Sequence, residues 1–316
     1  PGSRRFLDDY RRGWKTGAIF AYDDHFVATG QKIVQFVSHH EQFHSEGGTP
    51  CGNISGLAAR MQSPFVIRFM YTIPFEVAQI ENPEAKYYAA MRAGVADGRV
   101  GTVTTANPST LLHVARFADK HRETLIRDIS DGTISSEFEI AGDIRTELTR
   151  RLKPQRRRAA ELGRIVERTG HLYPKDYWDK TQFLAVWTGG SCAAYFESVR
   201  ECFGDLPTRD HGLHASEGRM TIPLEDNCCD GVLDVMSNFF EFIPADEYGT
   251  QAPTVLEAHQ LDIDTDYYIL LTTGSGLYRY DICDVVRCTG FCGTTPVSYT
   301  HLRAHETDSY LVCRLL

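Results

Sequence analysis

Apolar and polar positions alternate in short runs along most of this chain. The clearest case lies near its end, where Tyr267–Leu271 is apolar, stops at Thr272-Thr273 and meets Gly274-Ser275-Gly276. A second run, Leu277–Ile282, is interrupted at Cys283-Asp284 before Val285-Val286 resume it. Short β-rich runs punctuated by glycine and a lone acid predict strands joined by tight turns. Asp284 is then expected between two strands at a sheet end, where it either satisfies turn amides or accepts two hydrogen bonds from a cis-diol. Lys32–Val37, Phe65–Tyr71, Val100–Thr105, Phe183–Trp187, Val232–Val235 and Phe239–Ile243 also read as strands. The period changes from two to about 3.6 after Asn82, with Tyr87, Tyr88, Met91 and Val95 on one side, which predicts a helix. Asn107-Pro108 supplies a cap and a first-turn proline for another. The charged stretch from Ala118 to about Arg168 has helical character, and Ala193–Phe203 reads as a helix closed by Gly204. Strand–turn–helix units of this kind predict an α/β fold, with ligand sites at strand ends.

Composition narrows the function classes. A chain of 316 residues is long enough for one large or two ordinary domains with a real core. A net charge of -9 argues against a nucleic-acid or anionic-membrane partner, since both are polyanions. The basic runs Arg150–Lys153 and Arg156–Arg158 lack interleaved aromatics and are followed by Glu161 and Glu167, so they read as solvated helix faces. No apolar run approaches a membrane span, and the opening PGSRRFLDDY lacks a signal-peptide core, so a cytoplasmic location is expected. The nine cysteines form no paired CxxC motifs, which fits free thiols better than a disulfide scaffold.

One stretch offers metal chemistry. His40-Glu41-Gln42-Phe43-His44 has the spacing of a zinc-metallohydrolase helix, with two imidazoles on one face and a glutamate base. The extended pattern before it and Ser45-Glu-Gly-Gly-Thr-Pro50 after it favour a loop instead, with no third ligand at helical spacing.

Three further segments carry weight through their order. Trp187-Thr-Gly189-Gly190-Ser191 ends a strand with paired glycines, which let backbone approach a flat group closely. Ala215-Ser216-Glu217 follows, and then Gly276-Leu-Tyr-Arg-Tyr280 with Asp284-Val-Val-x-x-Thr-Gly-Phe291. Together with Asn107-Pro108-Ser109 and Phe239-Phe-Glu-Phe-Ile-Pro244, these resemble the auxin-responsive-promoter (Gretchen Hagen three-type) acyl-acid amido synthetases, a branch of the adenylate-forming ligases. The resemblance covers Pro1 to Phe291 and departs where the family usually has glycine and this chain has Cys283.

The resemblance implies the large domain of the adenylate-forming fold: α/β sheets flanked by helices plus a small barrel-like part, incomplete at both ends. It implies ATP-dependent activation of a small carboxylic acid as an acyl-adenylate, followed by amide formation with an amine or amino acid. Gly189, Gly190, Ser191, Ala215 and Ser216 would frame the adenine, Asp284 would bind the ribose, and Glu217 would hold the Mg2+ that bridges the phosphates. Another adenylating ligase, such as one that loads coenzyme A, and a nucleotide-binding remnant without catalysis are the neighbouring readings. Residues 1–293 are expected to be a partial adenylation domain, with a triphosphate loop upstream and a lysine-bearing domain downstream both outside the chain, so that adenylation by these residues alone is not expected. Residues 294–316, including VSYTHLRAHETDSYLVCRLL, match nothing in the family and read as a non-native tail.

Overall fold

A computed structural model describes residues 3–53, 56, 57, 59 and 61–300. The chain divides into two compact units, each with its own core.

The first unit comprises His25–Val186 and Ala194–Pro207. Its strands are β1 (Lys32–Gln35), β2 (Phe43–His44), β3 (Pro50–Cys51), β4 (Val100–Thr104) and β5 (Phe183–Ala185). β4 pairs in parallel with β1 and with β5, and Val100–Val103 are all buried, as a parallel strand with both faces covered requires. The helix Pro83–Ala96 lies between β1 and β4 in the chain and buries Tyr88, Met91 and Val95. Its start follows from local chemistry: the Asn82 side chain accepts from the Ala85 N–H at 3.1 Å, and proline is the first helical residue. Asn107 caps Pro108–Lys120 in the same way, through the Ser109 N–H at 2.9 Å. Helices Arg122–Asp131, Gly142–Arg151 and Arg156–Thr169 divide the charged stretch, and Gly132 and Gly170 end two of them. Arg158 is not part of a solvated face. It is buried, with Nε donating to Val95 O at 3.0 Å and Nη2 to Tyr177 O at 2.7 Å.

Two sequence expectations are corrected in this unit. Phe65–Tyr71, expected as a strand, lies largely in the helix Pro64–Met70, because the Ser63 hydroxyl accepts from Val66 N–H and nucleates the first turn. His40–His44 is not helical; Phe43–His44 pairs as β2 with β3, so the two imidazoles do not share a helix face, and His44 lies 3.1 Å from Glu41.

The second unit comprises residues 3–24, 187–193 and 208–300. It contains the helix Arg4–Asp24 and β6 (Thr208–Arg209), β7 (Thr221–Ile222), β8 (Gly231–Leu233), β9 (Phe239–Pro244), β10 (Leu256–Glu257), β11 (Thr265–Thr272), β12 (Tyr280–Cys292) and β13 (Thr295–Thr300). Seven of these form an antiparallel sheet in the order β10-β9-β11-β12-β13-β8-β7, where a small barrel-like part was expected. Met220, Leu233, Phe242, Tyr267, Ile269, Leu271 and Val286 are among its core residues. The break expected at Cys283-Asp284 does not end a strand. β12 runs through it, and the extra residues are absorbed in a bulge: Tyr268 faces Val285 while Leu270 faces Asp281. Thr295–Thr300 of the segment read as a tail pairs as β13 with β12 and β8, while residues 301–316 lie outside the described residues. Among the described residues no helix is long and apolar enough to cross a membrane, and the cysteines are free.

Candidate functional site

All the residues singled out for nucleotide chemistry fall in the second unit. The Trp187–Ser191 segment is a turn held from below by one carboxylate. Asp210 Oδ2 accepts from Thr188 N–H at 2.5 Å and from Thr188 Oγ1 at 2.7 Å, and its Oδ1 accepts from Gly212 N–H at 2.6 Å. Burial pushes the Asp210 carboxyl up from its ordinary value, while hydrogen bonds from Thr188, Gly212 and Gly189 oppose the rise. Trp187 Nε1 donates to Gly212 O at 2.9 Å, a second tie between the same two segments. Gly190 has φ +57°, in the left-handed region where glycine carries no steric cost. Ser191 is exposed. The helix expected from Ala193 begins later: Gly190–Tyr195 is a 3₁₀ turn, and the α-helix runs from Phe196 to Phe203.

Beyond Gly212 the chain makes a narrow hairpin. Ala215 N–H donates to Gly218 O at 2.9 Å and Gly218 N–H returns to Ala215 O at 3.3 Å, leaving Ser216 and Glu217 at the tip. The hairpin root is aromatic and buried. His214 packs against Trp187 with ring centroids 4.7 Å apart, and burial drives its pKa well down, so it is neutral at pH 7. Arg219 donates Nη2–H to His211 O at 2.8 Å and lies over the Trp14 ring at 4.7 Å. At Gly218 a Cβ would come within 2.8 Å of Asn238 Nδ2, so a side chain there would have to displace the amide that donates to Arg219 O.

Asp284 is carried by the β12 bulge, which two left-handed residues shape. Arg279 (φ +46°) precedes it, and Cys283 (φ +61°) stands immediately before Asp284. Burial pushes the Asp284 carboxyl up, and the nearby charges of Glu217 and Asp281 add to the rise. Glu217 and Asp284, far apart in sequence, are thus close enough to repel one another. Among the described residues neither carboxylate has a hydrogen-bond donor or an ion-pair partner. Two half-exposed, unpaired and mutually repelling carboxylates fit a cation at one and hydroxyl donors at the other. No group of three or more His, Cys, Asp or Glu side chains among the described residues is placed to hold a metal, so a cation here would draw most of its ligands from phosphate and water, as Mg2+ does.

The structure therefore links Gly189–Ser191 to the hairpin root through Asp210 and brings the hairpin tip near Asp284. The ties that Trp187 and Asp210 make between the two segments, and the part of Asn238, were not foreseen, and no spacing signal marks them.

Family models match two ranges: the GH3 family N-terminal domain over residues 1–208 and the GH3 family central domain over residues 231–302. The chain belongs to the GH3 family. Gly189–Ser191 lie in the first matched range of this GH3 chain and Asp284 in the second, with the Ser216-Glu217 hairpin between them. Among its relatives, indole-3-acetic acid-amido synthetase GH3.4 of Arabidopsis thaliana is 28% identical over 238 residues, covering 72% of this chain and 40% of that protein. Jasmonoyl--L-amino acid synthetase JAR4 of Nicotiana attenuata is 25% identical over 308 residues, covering 94% and 53%. The solved GH3.15 acyl acid amido synthetase shares the fold with a TM-score of 0.79 at 19% identity, over 93% of this chain and 53% of that one. The GH3 chain spans about half the length of the curated relatives it matches.

Proposed function

We propose that this chain is part of the nucleotide-binding domain of an ATP-dependent ligase. The enzyme would convert a small carboxylic acid to its acyl-adenylate and then pass the acyl group to an amine or amino acid, as an acyl-acid amido synthetase does. The observation that carries the reading is that Glu217, at the hairpin tip, lies close enough to Asp284 for its charge to act on that carboxyl, in a chain of the GH3 family. Its free thiols fit a cytoplasmic setting.

The chemistry asks the protein to hold two anions together and neutralise charge, with little covalent work of its own. In this reading the Thr188–Ser191 turn and Ala215-Ser216 frame the adenine, and Asp284 accepts hydrogen bonds from the ribose hydroxyls. Glu217 holds Mg2+, which when bound neutralises phosphate charge. Asp210 keeps the adenine turn in register with the hairpin, so that base and phosphate contacts are made by one rigid piece.

Calorimetry of AMP binding to this chain tests the site. A carboxylate bonded to hydroxyls contributes about 1.5–3 kcal/mol, so Asp284→Ala is expected to weaken AMP roughly 10- to 100-fold. An unchanged dissociation constant refutes the ribose assignment. The reaction class is tested by carboxylate-dependent exchange of pyrophosphate into ATP by the protein that carries this chain, with a panel of small acids.

A further inference from the structure

The bulge that presents Asp284 is held by a side chain from outside β12. Tyr248 lies in the turn after β9, which is closed on itself: Glu247 accepts from Thr254 N–H at 2.6 Å and from Thr254 Oγ1 at 3.1 Å. The Tyr248 ring is 38% exposed, yet it stacks in parallel on Tyr268 with centroids 3.5 Å apart and planes 11° from parallel. Tyr268 is on β11, directly opposite Val285, the residue after Asp284. From that seat the Tyr248 hydroxyl donates to Asp281 Oδ2 at 2.7 Å. The other Asp281 oxygen accepts from the Cys283 N–H at 2.7 Å, closing the bulge from within. The ring is thus anchored beside the residue that follows Asp284, and its hydroxyl grips the residue three positions before it.

We propose that Tyr248 is a positioning residue for ribose recognition, acting through Asp281 to fix the bulge that aims Asp284. The inference rests on the assignment of Asp284 to the ribose and adds the device that sets its direction. Asp281 and Asp284 are two carboxylates of one bulge with opposite situations. Asp281 is satisfied by a hydroxyl and a backbone N–H, and Asp284 is left free to accept from a ligand. Without the Tyr248 hydroxyl, Asp281 loses the bond that fixes its rotamer, and the Cys283 N–H loses a pre-set acceptor. The left-handed Cys283 then has fewer constraints holding it in a conformation that L-residues disfavour. Bulges beside binding sites commonly serve to re-aim a side chain, and here the aim is set from a neighbouring loop.

The test pairs two ligands with four variants of this chain. AMP and 2′,3′-dideoxy-AMP are titrated calorimetrically into the unsubstituted protein, Asp284→Ala, Tyr248→Phe and the double variant. Tyr248→Phe keeps the stack on Tyr268 and removes only the hydroxyl. The expected pattern is a loss of roughly 10- to 100-fold for AMP in Asp284→Ala and a smaller loss, about 3- to 10-fold, in Tyr248→Phe. Neither variant should lose more than about twofold for the dideoxy ligand, and the double variant should be no weaker on AMP than Asp284→Ala, because the two residues act on one contact. Asp281→Ala should repeat the Tyr248→Phe pattern. If Asp284→Ala discriminates between the ligands while Tyr248→Phe weakens both equally or neither, the positioning role is overturned and the ribose assignment stands. If Asp284→Ala itself does not discriminate, or the unsubstituted chain binds no AMP, the ribose assignment falls and takes the positioning role with it.

Discussion

Replacing Cys283 by glycine should stabilise this protein, an uncommon expectation for a substitution inside a strand. Cys283 has φ +61°, where an L-residue carries a cost of roughly 1–2 kcal/mol that glycine does not. Against that gain stands the greater freedom of glycine in the unfolded chain, worth about 0.5–1 kcal/mol. The Cys283 side chain is exposed, and its one hydrogen-bond contact is with the Tyr248 hydroxyl, 3.8 Å from its sulfur, so little packing is lost. Its N–H bond to Asp281 belongs to the backbone and survives the change. The net expectation for Cys283→Gly is a gain of about 0.5–1 kcal/mol. In differential scanning calorimetry this is a rise of about 1 °C if the whole chain melts together, and about 2–4 °C if the unit holding the seven-stranded sheet melts by itself. A clear fall in melting temperature would refute the reasoning, because it would mean that the thiol contributes more packing than the left-handed backbone costs.

Three other outcomes are expected. Glu217→Gln should lower carboxylate-dependent pyrophosphate exchange by about 10²–10³ in the protein that carries this chain while leaving AMP affinity nearly intact, and exchange at the original rate would remove Glu217 from phosphate chemistry. Because the Asp284 carboxyl is pushed up and must be ionised to accept both ribose hydroxyls, AMP affinity should decline as pH falls, beginning above the pH at which an ordinary aspartate (pKa about 3.9) would protonate; a calorimetric series should show this, and Asp284→Ala should flatten it. Asp210→Ala strands the Thr188 and Gly212 N–H groups, each costing about 1–3 kcal/mol, so the melting temperature should fall, and AMP should bind more weakly as the turn loses its link to the hairpin.

The elements with strong local chemistry were legible in the sequence. The helix at Asn82-Pro83 starts where the change of period places it and that at Asn107-Pro108 where the cap pattern does, and β4 and β11 coincide with their apolar runs. Phe65–Tyr71 misled because a short apolar run has no period that separates strand from helix, and the deciding group, the Ser63 hydroxyl, stands before it. The interruption at Cys283-Asp284 was visible, but a bulge and a strand end look alike along the chain; only the register with Tyr268 and Leu270 distinguishes them. The resemblance supplied Gly189, Ser216, Glu217 and Asp284, and folding adds that Glu217 comes within electrostatic range of Asp284. Asp210 and Tyr248 were not legible, since their roles depend on partners 22 and 33 residues away that no local pattern announces.

The three-piece composition of the second unit has a consequence for how the protein is made. The helix Arg4–Asp24 is synthesised well before the groups that fix it: Arg209 pairs with Asp24, Met236 O accepts from Arg12, and Gly274 O accepts from Ser3. Between them lie the residues of a separate core, in which β1, β4 and β5 are all made by Ala185. At about 5–20 residues per second, the helix waits roughly 10–40 s for the first of its partners, with the face of Phe6 and Tyr10 uncovered. These residues should therefore mature out of sequence order, the core of His25–Val186 folding before the helix that precedes it. That helix is left unpartnered for longer than the strands that follow it in its unit, and the bulge that carries Asp284 forms only when β12 has emerged.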